Sequence, residues 1–281
     1  MSFPEALAEH AFLRNALAAG LLAAIGCGAI GPFVLVRRIT FLAGGIAHAV
    51  LGGMGIAYFF SYPPLAGAVA AAVLAALSIG WIRLARGGRE DTLIGAMWAA
   101  GMAVGILFIS KTPGYNADLM SYLLGSILLV RPGVLVWMAA LDLLIIGLVT
   151  FLYRRLVAAS FDEEFARLRG LPVTGLNLLL LVMVSLAVVL LIQVVGLILV
   201  IALLTLPAAA AAHWAGTLGG MMFGAAGFGA FAIVLGLWLA YAPDLPAGAT
   251  IVLVTTAAYL ISLAAHKLRA HARRRVAAGG I

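Results

Sequence analysis

Residues 41–60 read FLAGGIAHAVLGGMGIAYFF, with no Asp, Glu, Lys or Arg among them. At a rise of about 1.5 Å per residue, such a helix covers about 30 Å, the thickness of a bilayer's hydrocarbon core. The stretch therefore reads as a membrane-spanning helix. Its five glycines, Gly44, Gly45, Gly52, Gly53 and Gly55, are poor for a helix in water but let neighbouring helices approach backbone to backbone in lipid. His48 lies near the middle of the span, where an imidazole is expensive unless it faces the interior of a bundle.

The same reading extends along the whole chain. Of 281 residues 65% are hydrophobic and 10% charged, with a mean hydropathy of +1.19, a balance that only an integral membrane protein sustains. Apolar stretches of helical rather than strand length recur at 13–36, 41–60, 64–82, 92–110, 133–153, 175–193, 195–213, 217–240 and 248–265. The expected fold is an all-α polytopic membrane protein of about nine transmembrane helices, a single transmembrane domain over residues 1–281. The N-terminus lacks the layout of a cleaved signal peptide, so the first span is expected to direct insertion. The lone cysteine, Cys27, excludes an internal disulfide and reads as a small core residue.

Charge sets the topology. The chain carries a net +7 with pI ≈ 10.1, but the excess sits at span ends and not on a nucleic-acid face. Arg37 and Arg38 follow the first span, Arg83, Arg86 and Arg89 the third, Arg154 and Arg155 the fifth, and Lys267 to Arg275 the last. The positive-inside rule places these in the cytoplasm, with the N-terminus outside and the C-terminus cytoplasmic. Residues 118–129, DLMSYLLGSILL, are too few to cross and would invert this pattern if they did. They are expected to form a short re-entrant helix in the outer half, tolerated only against protein or a water-filled cavity.

The one long polar insertion, residues 159–173, ASFDEEFARLRGLPV, reads as a complete miniature helix over 160–172. Ser160 is expected to cap it with Glu163 as reciprocal partner. Asp162, Glu163 and Glu164 suit the positive end of the helix dipole, and Arg167 and Arg169 the other. Gly170 and Pro172 end it. Phe161, Phe165 and Leu168 share one face, an apolar stripe on a charged rod. The acidic cluster disfavours contact with an anionic leaflet and favours docking to a cytoplasmic protein.

Several chemistries are absent. No phosphate-binding loop, His-Glu-x-x-His or Gly-x-Ser-x-Gly motif occurs, so neither ATP hydrolysis by this chain nor a familiar intramembrane hydrolase is indicated. Ionisable groups at membrane depth are few: His48, Asp142, and Asp118 near the outer surface. Each is a candidate for the translocation path. Neutral imidazole suits a passing transition metal, and one or two weak ligands permit release. A stand-alone transporter in which Asp142 and His48 exchange protons is the alternative.

VLVRRITFLAGGIAHAVLGG, DTLIGAMWAAGMAVGILF, DLMSYLLGSILLV, SFDEEFARLRGLPV and VGLILVIALLTLPAAAA together resemble, in order and spacing, the permease subunits of bacterial zinc/manganese ABC importers. The resemblance implies the type II importer fold: a homodimer of permeases in the plasma membrane, two cytoplasmic ATPase subunits that consume the ATP, and an extracytoplasmic metal-binding protein. It makes residues 160–172 the coupling helix and a divalent metal ion the cargo, with no cofactor bound by this chain. The family's second-span pattern has an aspartate four residues before the histidine, where this sequence has Gly44. Many members carry an aspartate or asparagine after the glycine of the short outer helix, where it has Ser126.

Overall fold

The computed structural model describes residues 3–86, 90–112, 125, 127–197, 200–241, 243 and 245–278, with side chains at all of these but 83–86, 90, 91, 193 and 273–278. No strand occurs among them. The order is α1 (Phe3–Glu9), α2 (Ala11–Val36), α3 (Thr40–Phe59), α4 (Pro64–Arg86), α5 (Glu90–Ser110), a 3-10 turn (Ile127–Leu129), α6 (Pro132–Phe161), α7 (Glu163–Leu168), α8 (Val173–Val195), α9 (Val200–Ala212), α10 (Leu218–Tyr241) and α11 (Ala247–Ala278).

Eight of these helices are long and apolar enough to cross a membrane: α2 to α6, α8, α10 and α11. The stretch expected to span at 195–213 is instead the 13-residue α9, about 20 Å long and too short to cross alone. The cause is local. Gly196 ends α8 at φ +76, and Gly125, itself at φ +79, lies against the Val195 and Gly196 backbone. A Cβ at Gly125 would have no room, and both dihedrals lie in the left-handed region that glycine tolerates. The expected re-entrant helix at 118–129 falls mostly outside the described residues, as do Asp118 and Ser126.

Three helices form the interior. Within their apolar windows 67% of α2, 72% of α3 and 72% of α8 is buried, against 17% of α5 and 22% of α6. Outer faces carry exposed Trp81, Leu143, Phe151 and Phe223, the side chains that hydrocarbon accepts without cost. The glycines of α3 supply the close approach expected of them. A Cβ on Gly52 would sit 3.0 Å from the Gly101 carbonyl oxygen, and one on Gly55 2.7 Å from that of Gly105. Here α3 and α5 pack backbone against backbone, a contact any larger residue would prise apart.

The α2–α3 corner is sharp. Arg38 takes φ +56, and its N–H reaches the Leu35 carbonyl at 3.1 Å while the Ile39 N–H reaches that of Val34 at 3.1 Å. This is the Schellman closure, with an arginine where glycine is usual. It turns the chain within three residues and leaves Arg37 facing α7 and α8.

Candidate coupling surface and translocation residues

The miniature helix exists, but its boundaries differ from the sequence expectation. Ser160 is not its cap: α6 runs on through Phe161, so Ser160 lies inside the longer helix with its hydroxyl buried and unpartnered. The chain extends only at Asp162 (φ −148, ψ 97), whose carboxylate accepts from the Phe165 N–H at 2.8 Å. Asp162 both ends α6 and caps α7. Glu163 and Glu164 occupy the first turn and Arg167 the last, as the dipole favours. Gly170 at φ +74 closes the helix: its N–H meets the Arg167 carbonyl at 2.9 Å, and that of Leu171 meets Ala166 at 3.1 Å. The Phe161, Phe165 and Leu168 side chains are all exposed, while Ala166 on the opposite side is buried. A six-residue rung thus presents an apolar stripe outward, and Arg169 stacks over the Phe165 ring at 4.9 Å.

Glu163 does not reach back to a cap. Its Oε1 accepts from Arg37 Nη2 at 2.5 Å and from Asn177 Nδ2 at 3.1 Å, and Arg37 Nη1 donates to Asn177 Oδ1 at 2.5 Å. Arg37 is 7% exposed and Glu163 38%. A nearly buried guanidinium needs such partners, and removing one is expected to cost about 2 kcal/mol, less than in a wholly buried pair because Glu163 remains partly solvated. Arg37 and the rung therefore lie at the same end of the bundle, as their shared assignment to one side requires.

His48 is buried on α3, its ring stacked on the Trp98 indole of α5 with centroids 4.1 Å apart, and its Nδ1 has no hydrogen-bond partner. Trp98 in turn tilts against Phe41 at 5.8 Å. Gly44 lies one turn before His48, and a Cβ there would meet Ile201 of α9 at 2.8 Å and Trp98 at 3.1 Å. The face on which the family pattern has a carboxylate is here lined by an indole and an isoleucine.

Asp142, also buried, lies elsewhere. Its carboxylate presses on Gly26 of α2, near Leu190 of α8, and neither oxygen has a partner. A side chain at position 26 would displace it. The structure therefore does not bring His48 and Asp142 together, and the proton-exchange alternative, which needs them to act jointly, gains nothing from the geometry. Among the described residues no three His, Cys, Asp or Glu side chains converge on a point that could hold a metal ion. Cys27 is free and buried.

Sequence reasoning missed four groups. Arg37 read only as a topology marker, and Asn177 and Trp98 as ordinary members of apolar spans. Asn177 had a signal, a lone amide at the start of a span following the polar insertion. A fourth group, at the end of α9, has none. His213 Nδ1 and Trp214 Nε1 both meet Ser262 Oγ, at 3.0 and 2.8 Å, and Ser262 donates to the Ala210 carbonyl at 3.0 Å. His266 stacks on His213 at 5.3 Å, and Arg269 lies over Trp214 at 4.4 Å.

Membrane-length helices around a glycine-packed interior, with one short amphipathic rung held at the end of the bundle, define an all-α polytopic membrane protein. The chain belongs to the ABC 3 transport family, whose model matches residues 9–266. It is 48% identical over 256 residues to an uncharacterized membrane protein of Synechocystis sp., covering 91% of each chain. It is 35% identical over 262 residues to the manganese transport system membrane protein MntC of Listeria innocua, covering 93% of each. The solved structure of PsaBC from Streptococcus pneumoniae in complex with Fab matches with a TM-score of 0.85 at 34% identity, covering 92% of this chain and 94% of that one. The protein is thus a transport component of an ABC system rather than an enzyme.

Proposed function

We propose that this chain is the membrane-spanning permease of an ATP-driven importer of divalent metal, manganese or zinc, working as a homodimer in the plasma membrane with a cytoplasmic ATPase and an extracytoplasmic metal-binding protein. The observation that carries the reading is α7. A helix of six residues has no stability of its own, yet it is capped at both ends and tied to α2 and α8, with Phe161, Phe165 and Leu168 left facing out. Apolar side chains held outward on a rigid polar frame suit a cleft in a partner. The Listeria relative, a manganese transport system membrane protein, supplies the cargo class. The N-terminus lies outside and the C-terminus in the cytoplasm: eight full crossings alone would leave both on one side, and α9, packed on the Arg37 half of α2 at Gly31, supplies the ninth passage by returning the chain to the end that carries Arg37 and the rung, which faces the ATPase. His48 lines the translocation path, with Asp142 and Asp118 as further candidates.

Manganese and zinc uptake, measured in a strain with and without the gene, tests the cargo: equal uptake of both metals refutes the importer reading. Phe165→Asp tests the docking face. The new carboxylate lies beside Arg169, so the permease should still insert, while ATPase co-purification should fall by about tenfold or more. Retention of normal ATPase with undiminished transport refutes the assignment of α7.

A further inference from the structure

The rung is joined to its neighbours by two corners of non-helical backbone. On one side Asp162 is fully extended, and on the other Gly170 is left-handed. A push on α7 from a partner would be absorbed at these corners unless a side-chain link carried it onward. Arg37, Glu163 and Asn177 make such a link. Each bonds to both of the others, closing a triangle whose corners stand at the end of α2, the first residue of α7 and the first turn or so of α8. Three bodies joined by three bonds cannot shear past one another without breaking one. The guanidinium is planar and spans two acceptors at once, which a lysine ammonium at the end of a flexible stem does not do in fixed geometry. The Schellman turn at Arg38 fixes the direction from which Arg37 arrives. Beside the triangle a cavity of about 160 Å3, lined by Gly80, Glu163, Arg167, Thr174 and Asn177 among others, leaves the rung room to tilt.

We infer that Arg37 is a positioning residue for coupling: through Glu163 and Asn177 it makes α7 move as one piece with α2, so that ATPase motion enters the buried interior of the bundle and is not lost at the rung's own corners. The inference rests on the reading of α7 as the ATPase-docking helix. It goes beyond that reading in naming the path by which the movement leaves the rung. The receiving helix is well placed, since α2 packs against α6, α8, α9 and α10.

The test uses the permease–ATPase complex reconstituted in vesicles, reading metal transported per ATP hydrolysed. Arg37→Met and Asn177→Leu should each keep the ATPase bound and hydrolysing but lower that ratio by about tenfold. The double variant should be no worse than either single one, because both break the same link. Arg37→Lys, keeping the charge but not the fork, should restore part of the ratio. Should Arg37→Met fail to accumulate in the membrane, Arg37→Lys and Asn177→Leu decide the matter by the same ratio. A wild-type ratio in the single variants, with Phe165→Asp still losing the ATPase, overturns the link and leaves the docking helix standing. Loss of ATPase from the Arg37 and Asn177 variants in parallel with Phe165→Asp overturns it too, since the triangle would then only shape the docking face. If Phe165→Asp has no effect on ATPase binding, the docking reading falls and takes the link with it.

Discussion

The His48 imidazole lies on the Trp98 indole with the two planes 19° apart and the ring centroids 4.1 Å apart. An α3 histidine in the glycine-rich span is thus covered by an aromatic plate from α5, and Gly44 one turn earlier makes room for that plate's edge. Stacking fixes the ring without using either nitrogen, and Nδ1 remains unpartnered.

His48→Ala is expected to abolish metal uptake while membrane level and ATPase association persist. His48→Asn separates the roles, since an amide keeps a polar contact but ligates transition metals poorly. Normal uptake with unchanged metal preference in the Asn variant would assign His48 to packing.

Ser160 and Asp162 give opposite outcomes. Asp162→Ala removes the cap of α7, a loss of about 1 kcal/mol to that helix, and should weaken ATPase co-purification severalfold. Ser160→Ala removes a buried hydroxyl that has no partner and should leave association and thermal stability unchanged or slightly improved. A larger defect for Ser160→Ala would restore serine as the cap and move the start of the rung.

Tyr62 lies exposed in the α3–α4 turn and Glu164 exposed on the rung, at opposite ends of α3 from one another. In a Cys27→Ser background, a cysteine replacing Tyr62 should react with an impermeant thiol reagent added outside intact cells. One replacing Glu164 should react only after permeabilisation. The reverse pattern would invert the topology.

Burial, then the neighbouring His266, hold the His213 imidazole below the ordinary histidine value. A base whose folded value lies below its unfolded one binds fewer protons when folded. Its contribution is therefore intact above about pH 6.5 and is lost as the pH falls through the lowered value. Ser262, Trp214, Tyr259, His266 and Arg269 surround the site, with no acid among these neighbours to absorb the new charge. The melting temperature of the purified permease should fall between about pH 7 and pH 5.5, and His266→Gln should reduce the slope. An unchanged slope in His213→Gln would place the titration elsewhere.

The sequence by itself determined the class of fold and most of the span positions, because hydrocarbon thickness converts a run of apolar residues directly into a crossing helix. It also determined that residues 159–173 hold a short helix with an apolar face, since capping chemistry, dipole charges and a terminating glycine act within a few neighbours. Tertiary structure decided what depends on residues far apart in the chain. Whether Ser160 or Asp162 caps α7 turned on how far α6 continues, and its continuation through Phe161 is not a local property. The break of the expected span at Gly196 depends on Gly125 packing against it. The partners of Arg37 lie 126 and 140 residues away, so a residue that reads as one of many topology markers becomes a link between three helices only after folding. The same holds for His48 and Asp142. Hydropathy marks both as too costly to face lipid, but only helix packing sends one to Trp98 and the other to Gly26.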